Sequence, residues 1–218
     1  MARANLGFAR IHRDETDLPD EGEAKLEIEE LKRIARATGA RVLQTNVVNA
    51  NGKRTAVVEL DIPGNAKAIV YLSQAARLDA RHPTIRPLAL SLRRENPDPE
   101  DFGRAVQRYV REHVIFVLEV DEVFQSAAYT LRVGAGDCDD HARCVCALAL
   151  AGGCVGSKVV PVYAPNGKLG HVCAQIRMPS GAMRWAETTV AADWGEEPYA
   201  AVRRLGLAKH RTDITGGA

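Results

Sequence analysis

The sequence has little that would commit it to a membrane, a nucleic acid or a secreted scaffold. Its longest apolar run, roughly Cys144 to Val155, is too short to cross a bilayer, which takes about 20 residues. The first ten residues contain no apolar stretch of signal-peptide type, so secretion is not expected. Charge of one sign is missing: 29 Lys and Arg stand against 28 Asp and Glu, a formal net charge of +1. No basic field is available to hold nucleic acid or an anionic membrane. Aromatic residues make up 5% and no basic stripe accompanies them, which further disfavours a nucleic-acid binder. Internal repeats and low-complexity tracts are absent. The five cysteines are an odd number without framework spacing, which points to free thiols in a reducing compartment. What is present is ordinary globular composition, 46% hydrophobic and 26% charged over 218 residues. That suffices for one large domain or one domain with an appendage.

The first 20 residues read as a loose arm. Nine acids and one lysine fall between Asp14 and Glu30, a pattern that fits the solvated start of a helix better than an acidic docking patch. That helix is predicted over about Glu23 to Thr38, with Ala24, Ile28, Leu31 and Ala35 on one face and Gly39 as its stop. Two β-rich runs follow, Arg41 to Val48 and Arg54 to Ile62, joined by a turn-rich Asn49 to Lys53. Pro63-Gly64 is the plausible boundary between residues 1–64, an arm, helix and hairpin, and residues 65–218, the core. Helices are expected over Ala66 to Leu78, after His82-Pro83, and from Asp98-Pro99-Glu100-Asp101. Aspartate, proline and acids there match the demands of a helix start. Phe102, Ala105, Val106, Tyr109 and Val110 form its buried stripe, and Val114 to Leu118 reads as extended.

Chemistry concentrates around Gly136-Asp137-Cys138-Asp139-Asp140, which opens an apolar helix that stops at Gly152-Gly153. A cysteine at a helix N-terminus meets unpaired N–H groups and the positive dipole end, and both favour the nucleophilic thiolate. The three aspartates oppose this and are better suited to capping and orienting. Cys144, Cys146 and Cys154 are expected in the core. Three strands follow: Lys158 to Tyr163, His171 to Arg177, and one within Gly181 to Thr188. A five-residue loop, Arg177 to Gly181, would pair Ile176 with Ala182, Cys173 with Trp185 and His171 with Glu187, whereas a rival four-residue loop would break this alignment. Opposed residues lie about 4.5–5.5 Å apart on one face, so this register sets an imidazole beside a carboxylate. Cys138, His171 and Glu187 then have the chemistry of nucleophile, base and orienting acid.

These residues resemble the transglutaminase-like superfamily of papain-type thiol enzymes. The shared motifs are Gly136-Asp137-Cys138-Asp139-Asp140, then Gly170-His171-Val172, then Trp185-Ala-Glu187-Thr-Thr189, within a stretch from about Ala66 to Pro198. The resemblance implies an α+β fold with a papain-like core. A central helix carrying Cys138 would pack on an antiparallel sheet, with an N-terminal helix and hairpin as an extension. It implies Cys138 as nucleophile, His171 as base and Glu187 as third member, where aspartate is commoner. It also implies an oxyanion site at the Cys138 backbone N–H, with Gln125 as the candidate side-chain donor. The expected activity is that of a thiol hydrolase or acyltransferase on a peptide or protein substrate, without cofactor, metal or membrane. The alternative is a non-catalytic structural or interaction protein that keeps the fold, such as a bacteriophage virion component, joined to other subunits through the N-terminal region. A cytoplasmic or virion-associated location follows from either. His141 departs from the family pattern and is expected to cap the helix or meet solvent. A zinc site of Cys138, His141, His171 and Cys173 is a weaker reading, since no Cys-x-x-Cys knuckle is present.

Overall fold

The structure is a computed structural model and describes residues 9–14, 21–50, 53–118, 123–164, 167 and 169–206. In chain order its elements begin with β1 (Ala9–Asp14), α1 (Glu21–Ala37), β2 (Arg41–Ala50), β3 (Lys53–Asp61), α2 (Asn65–Asp79) and α3 (Ile85–Glu95). They continue with α4 (Pro99–His113), β4 (Ile115–Phe116), β5 (Val123–Gln125), α5 (Ala127–Val133), β6 (Ala135–Gly136) and α6 (Cys138–Ala151). Last come β7 (Lys158–Tyr163), β8 (Leu169–Arg177), β9 (Met183–Ala186) and α7 (Pro198–Arg204).

Helix α6 is the axis of the fold. Every residue from Asp139 to Ala149 is buried. Helices α2, α3, α4 and α5 pack against it, and so does β8 of the antiparallel sheet β7-β8-β9. Its end at Gly152 is set by packing. A Cβ there would lie 2.1 Å from the Phe102 ring, so α4 can cross closely only over a glycine. Within the helix Arg143 is fully buried. Its Nε donates to Asp79 Oδ2 at 2.7 Å and its Nη2 to Asp79 Oδ1 at 3.2 Å. Asp79 Oδ2 also accepts from the Ala127 amide, so one carboxylate ties α2, α5 and α6 together.

Residues 9–14, read as part of a loose arm, form a strand inside the sheet β2-β3-β1-β5. It runs antiparallel to β3 and parallel to β5. Ala-Arg-Ile-His-Arg-Asp shows no clean alternation, and neighbouring strands on both sides impose the extended state. Helix α5 was likewise not anticipated. Ser126 caps it through its side chain on the Tyr129 amide, and Gly134, at φ 68°, ends it. The apolar core runs without interruption from Ile28 through Leu60 to Ala186, so the N-terminal elements share it with the rest.

Candidate active site

Cys138 is the first residue of α6, and its neighbours build the helix start around it. The Asp137 carboxylate accepts from the Asp139 amide at 3.0 Å, and Asp140 Oδ2 receives the Asp137 amide at 3.4 Å. This reciprocal cap satisfies amides that an open helix end would leave bare. Asp140 Oδ1 takes the Gln125 amide at 2.7 Å, which fixes the end of β5 beside the same helix start. Gly136 leaves room for this, since a Cβ there would fall 2.7 Å from the Asp140 Cβ. Asp137 and Asp140 are capping groups, the role expected of the aspartates here. Gln125, the candidate oxyanion donor, is thereby held by its main-chain N–H on Asp140, in the first turn of α6, while its side-chain oxygen faces the Thr130 hydroxyl at 3.5 Å.

Of the five cysteines, Cys138 is partly exposed and the other four are buried. Burial pushes the thiols of Cys144, Cys146, Cys154 and Cys173 up, which disfavours their thiolates.

His171 and Glu187 meet in a buried contact, His171 Nε2 to Glu187 Oε2 at 2.5 Å. A carboxylate can only accept, so the shared proton sits on Nε2 and the lone pair on Nδ1. Glu187 is secured on its other oxygen as well. Oε1 accepts from the Thr189 amide at 2.5 Å, the Thr189 hydroxyl at 2.7 Å and the Val190 amide at 3.3 Å. Burial pushes the Glu187 carboxyl up, but His171 and Thr189 outweigh it and hold the group down to about 2. The backbone of Glu187 is anchored from α4, where Gln107 Nε2 and Arg111 Nη2 donate to its carbonyl at 2.9 and 2.6 Å. Cys138 and Glu187 line one small cleft with Ala142, Val172 and Thr188.

The strand register differs from the expected one. The hairpin turns over Pro179-Ser180-Gly181, with the Met178 amide on the Ala182 carbonyl and the Gly181 amide on the Met178 carbonyl. Gly181 at φ 87° supplies the left-handed residue of such a three-residue turn. Gln175 therefore pairs with Trp185, not Met183, and the whole register moves by two. An even shift keeps every side chain on its face. Continued past Ala174↔Ala186, it sets Cys173 opposite Glu187, in place of Trp185, and His171 diagonal to Glu187. After burial, the charge of Glu187 is the next largest influence raising the Cys173 thiol.

His141 is neither a cap nor a solvent contact. It is 1% exposed, and its Nδ1 lies 3.0 Å from Thr188 Oγ1. Burial is the main reason its pKa is depressed to about 4. Cys138, His141, His171 and Cys173, the residues of the zinc reading, do not bring their ligand atoms together as a group that could share an ion. Among the described residues, the His, Cys, Asp and Glu side chains close enough to share an ion are Asp137, Asp139 and Asp140. Asp137 and Asp140 already serve the helix cap.

Residues 86–189, which include Cys138, His171 and Glu187, match the model of the transglutaminase-like superfamily. Over that stretch the chain is similar to the transglutaminase-like superfamily. Its α+β architecture, with the cysteine helix on an antiparallel sheet, is the one the motifs implied. No curated protein matches the chain. Among solved structures, a candidate protease from Parabacteroides distasonis is 10% identical with a TM-score of 0.48, over 66% of this chain and 35% of that one. A candidate cysteine protease from Cytophaga hutchinsonii is 12% identical with a TM-score of 0.43, over 69% of this chain and 66% of the other. A protein described as a TGase is 12% identical with a TM-score of 0.33, over 89% of this chain and 55% of that one. This chain thus spans about a third of the first of these and about two thirds of the second. No described helix is long and apolar enough to cross a membrane.

Proposed function

We propose that this transglutaminase-like protein is a thiol hydrolase or acyltransferase that opens a peptide or amide bond through a thioester on Cys138. The observation that carries the reading is the buried His171–Glu187 contact, which leaves His171 Nδ1 with the lone pair a base needs, on a sheet packed against the helix that Cys138 opens. His171 Nδ1 takes the Cys138 thiol proton, and the thiolate sulfur bonds to the substrate carbonyl carbon. The resulting oxyanion is met by the Cys138 backbone N–H, with Gln125 as the candidate second donor. As the C–N bond breaks, the departing nitrogen collects the proton from His171. Water or an amine then attacks the thioester, His171 takes the proton of the attacking group, and that proton returns to sulfur as the thiol leaves. Glu187 stays ionised throughout and stabilises the imidazolium in each half-reaction.

Incubation with peptide or amide fragments, acid quenching and intact mass spectrometry test this directly. The reading expects a substrate-derived acyl adduct on Cys138 that hydroxylamine removes and that Cys138→Ala lacks. An unmodified Cys138 across a broad peptide library, together with inertness to thiol alkylators, would move the protein to the non-catalytic reading, a scaffold or virion component that retains the fold.

A further inference from the structure

The mechanism above leaves His141 unused, although it sits one helical turn from the nucleophile. Its ring is buried between α6 and the chain leaving β9, bonded through Nδ1 to the Thr188 hydroxyl, with the Phe116 ring 6.4 Å away and the Ile115 backbone alongside. Thr188 directly follows Glu187 and is itself buried. The other bonds that fix this segment come from its own turn, through Thr189 and Val190, and from α4, through Gln107 and Arg111. None of those reaches α6. The His141–Thr188 bond does.

Resting on the thiol-enzyme reading, we propose that His141 is a positioning residue, which through Thr188 ties the first turn of α6, and with it Cys138, to the backbone that presents Glu187 to His171. Nucleophile and orienting acid lie on different elements, and a triad works only while their separation is held to a fraction of an ångström. A neutral, buried imidazole suits this task. It is rigid, it carries no charge to compete with His171 for Glu187, and it bonds the hydroxyl without a desolvated ion. Its Nδ1, occupied by Thr188, is not placed to act as a second base on the thiol.

The test follows the rate of Cys138 alkylation by iodoacetamide against pH, together with the low-field proton resonance of His171 Nε2–H. Thr188→Val keeps the shape but removes the hydroxyl, and His141→Phe removes the ring nitrogen. Each should slow alkylation by about two- to tenfold, the factor one buried hydrogen bond is worth, and should weaken the resonance. Thr188→Ser and His141→Asn, which restore a bonding partner, should recover both. They also keep the test open where Val or Phe fails to fold. Unchanged alkylation and resonance in Thr188→Val, with only a lower melting temperature, would make the contact ordinary packing and overturn the proposal. Glu187→Gln separates the two levels. If it alters the profile while Thr188→Val does not, the latch alone falls. If neither does, the acid has no part in the mechanism and both readings fall.

Discussion

Glu187 reaches His171 across a diagonal of the β8–β9 pair, not from the position directly opposite. Diagonal neighbours in an antiparallel sheet have α-carbons about 7–8 Å apart, against about 4.5–5.5 Å for opposed ones, so the acid must be long. This gives a physical reason for glutamate where aspartate is commoner in the family the motifs resemble. The extra methylene spans the offset that the three-residue hairpin turn creates.

Glu187→Asp is therefore expected to fail even though it keeps the charge. Shortening by one carbon withdraws the carboxylate by about 1 Å or more, a misplacement that can cost about 10²-fold in rate. Glu187→Gln keeps the reach but loses the charge that stabilises the imidazolium. Its turnover should drop, and by less than in His171→Ala. Full activity of the aspartate variant in a thioester-forming assay would remove the diagonal argument.

The same geometry shows how far the sequence could be read. Cys138 at a helix start, His171 on a strand and Glu187 beside the next strand, one residue past its end, were legible, because helix caps and period-2 strands are local patterns. The register was not. It depended on whether Met178 and Ala182 closed the turn as a bonded pair, and the choice moved every partner by two. An even error preserved the face, so the His–Glu contact survived it. His141 was misread for a related reason. Three residues after Cys138, it is distinguished only by which neighbours pack on it, and Thr188 comes from 47 positions away. The Asp79–Arg143 pair is separated by 64 residues and leaves no local trace at all. Ser126, a serine just ahead of Ala127-Ala128-Tyr129, was the available signal for α5.

The pair at Asp79 predicts a large, measurable stability effect. Asp79→Ala would strand the buried Arg143 guanidinium and the Ala127 amide together. Removing one partner of a buried ion pair costs about 3–5 kcal/mol. Urea denaturation should show a loss of that order. The double variant Asp79→Leu, Arg143→Met should recover part of it, since no charge is then left unpaired. A loss under about 1 kcal/mol in Asp79→Ala, the level of an exposed pair, would mean that solvent reaches the site.

Acid sensitivity should come in two adjoining windows. His141 titrates near 6.5 when unfolded and near 4 when folded, so the unfolded chain binds the extra proton between those values. Stability falls as pH drops from about 6.5 to about 4. Glu187 has the depressed carboxylate pattern: its contribution is complete above its unfolded value of 4.5 and is lost as pH falls towards about 2. Each window is worth on the order of 3 kcal/mol. His141→Phe should flatten the upper window and leave the lower one. Equal slopes for variant and wild type between pH 6.5 and 4 in denaturant midpoints would show that His141 is not buried neutral.

Selective thiol chemistry gives the last prediction, and it needs no substrate. A free cysteine titrates near 8.5, while one at a helix N-terminus or beside a cationic partner can fall to roughly 3.5–7.5. Cys138 opens α6 and is partly exposed, whereas Cys144, Cys146, Cys154 and Cys173 are buried and their thiols are pushed up by that burial. Exposure and thiolate character therefore select the same residue. Limiting iodoacetamide at about pH 6, inside the depressed range, should modify Cys138 first, and His171→Ala should slow it. The acids around the site pull in the opposite direction, and burial pushes Asp137 up, which lessens its negative charge against the sulfur at low pH. Peptide mapping after partial labelling decides the matter. Equal labelling of all five cysteines in the folded protein, or Cys173 ahead of Cys138, would end the assignment of Cys138 as the nucleophile.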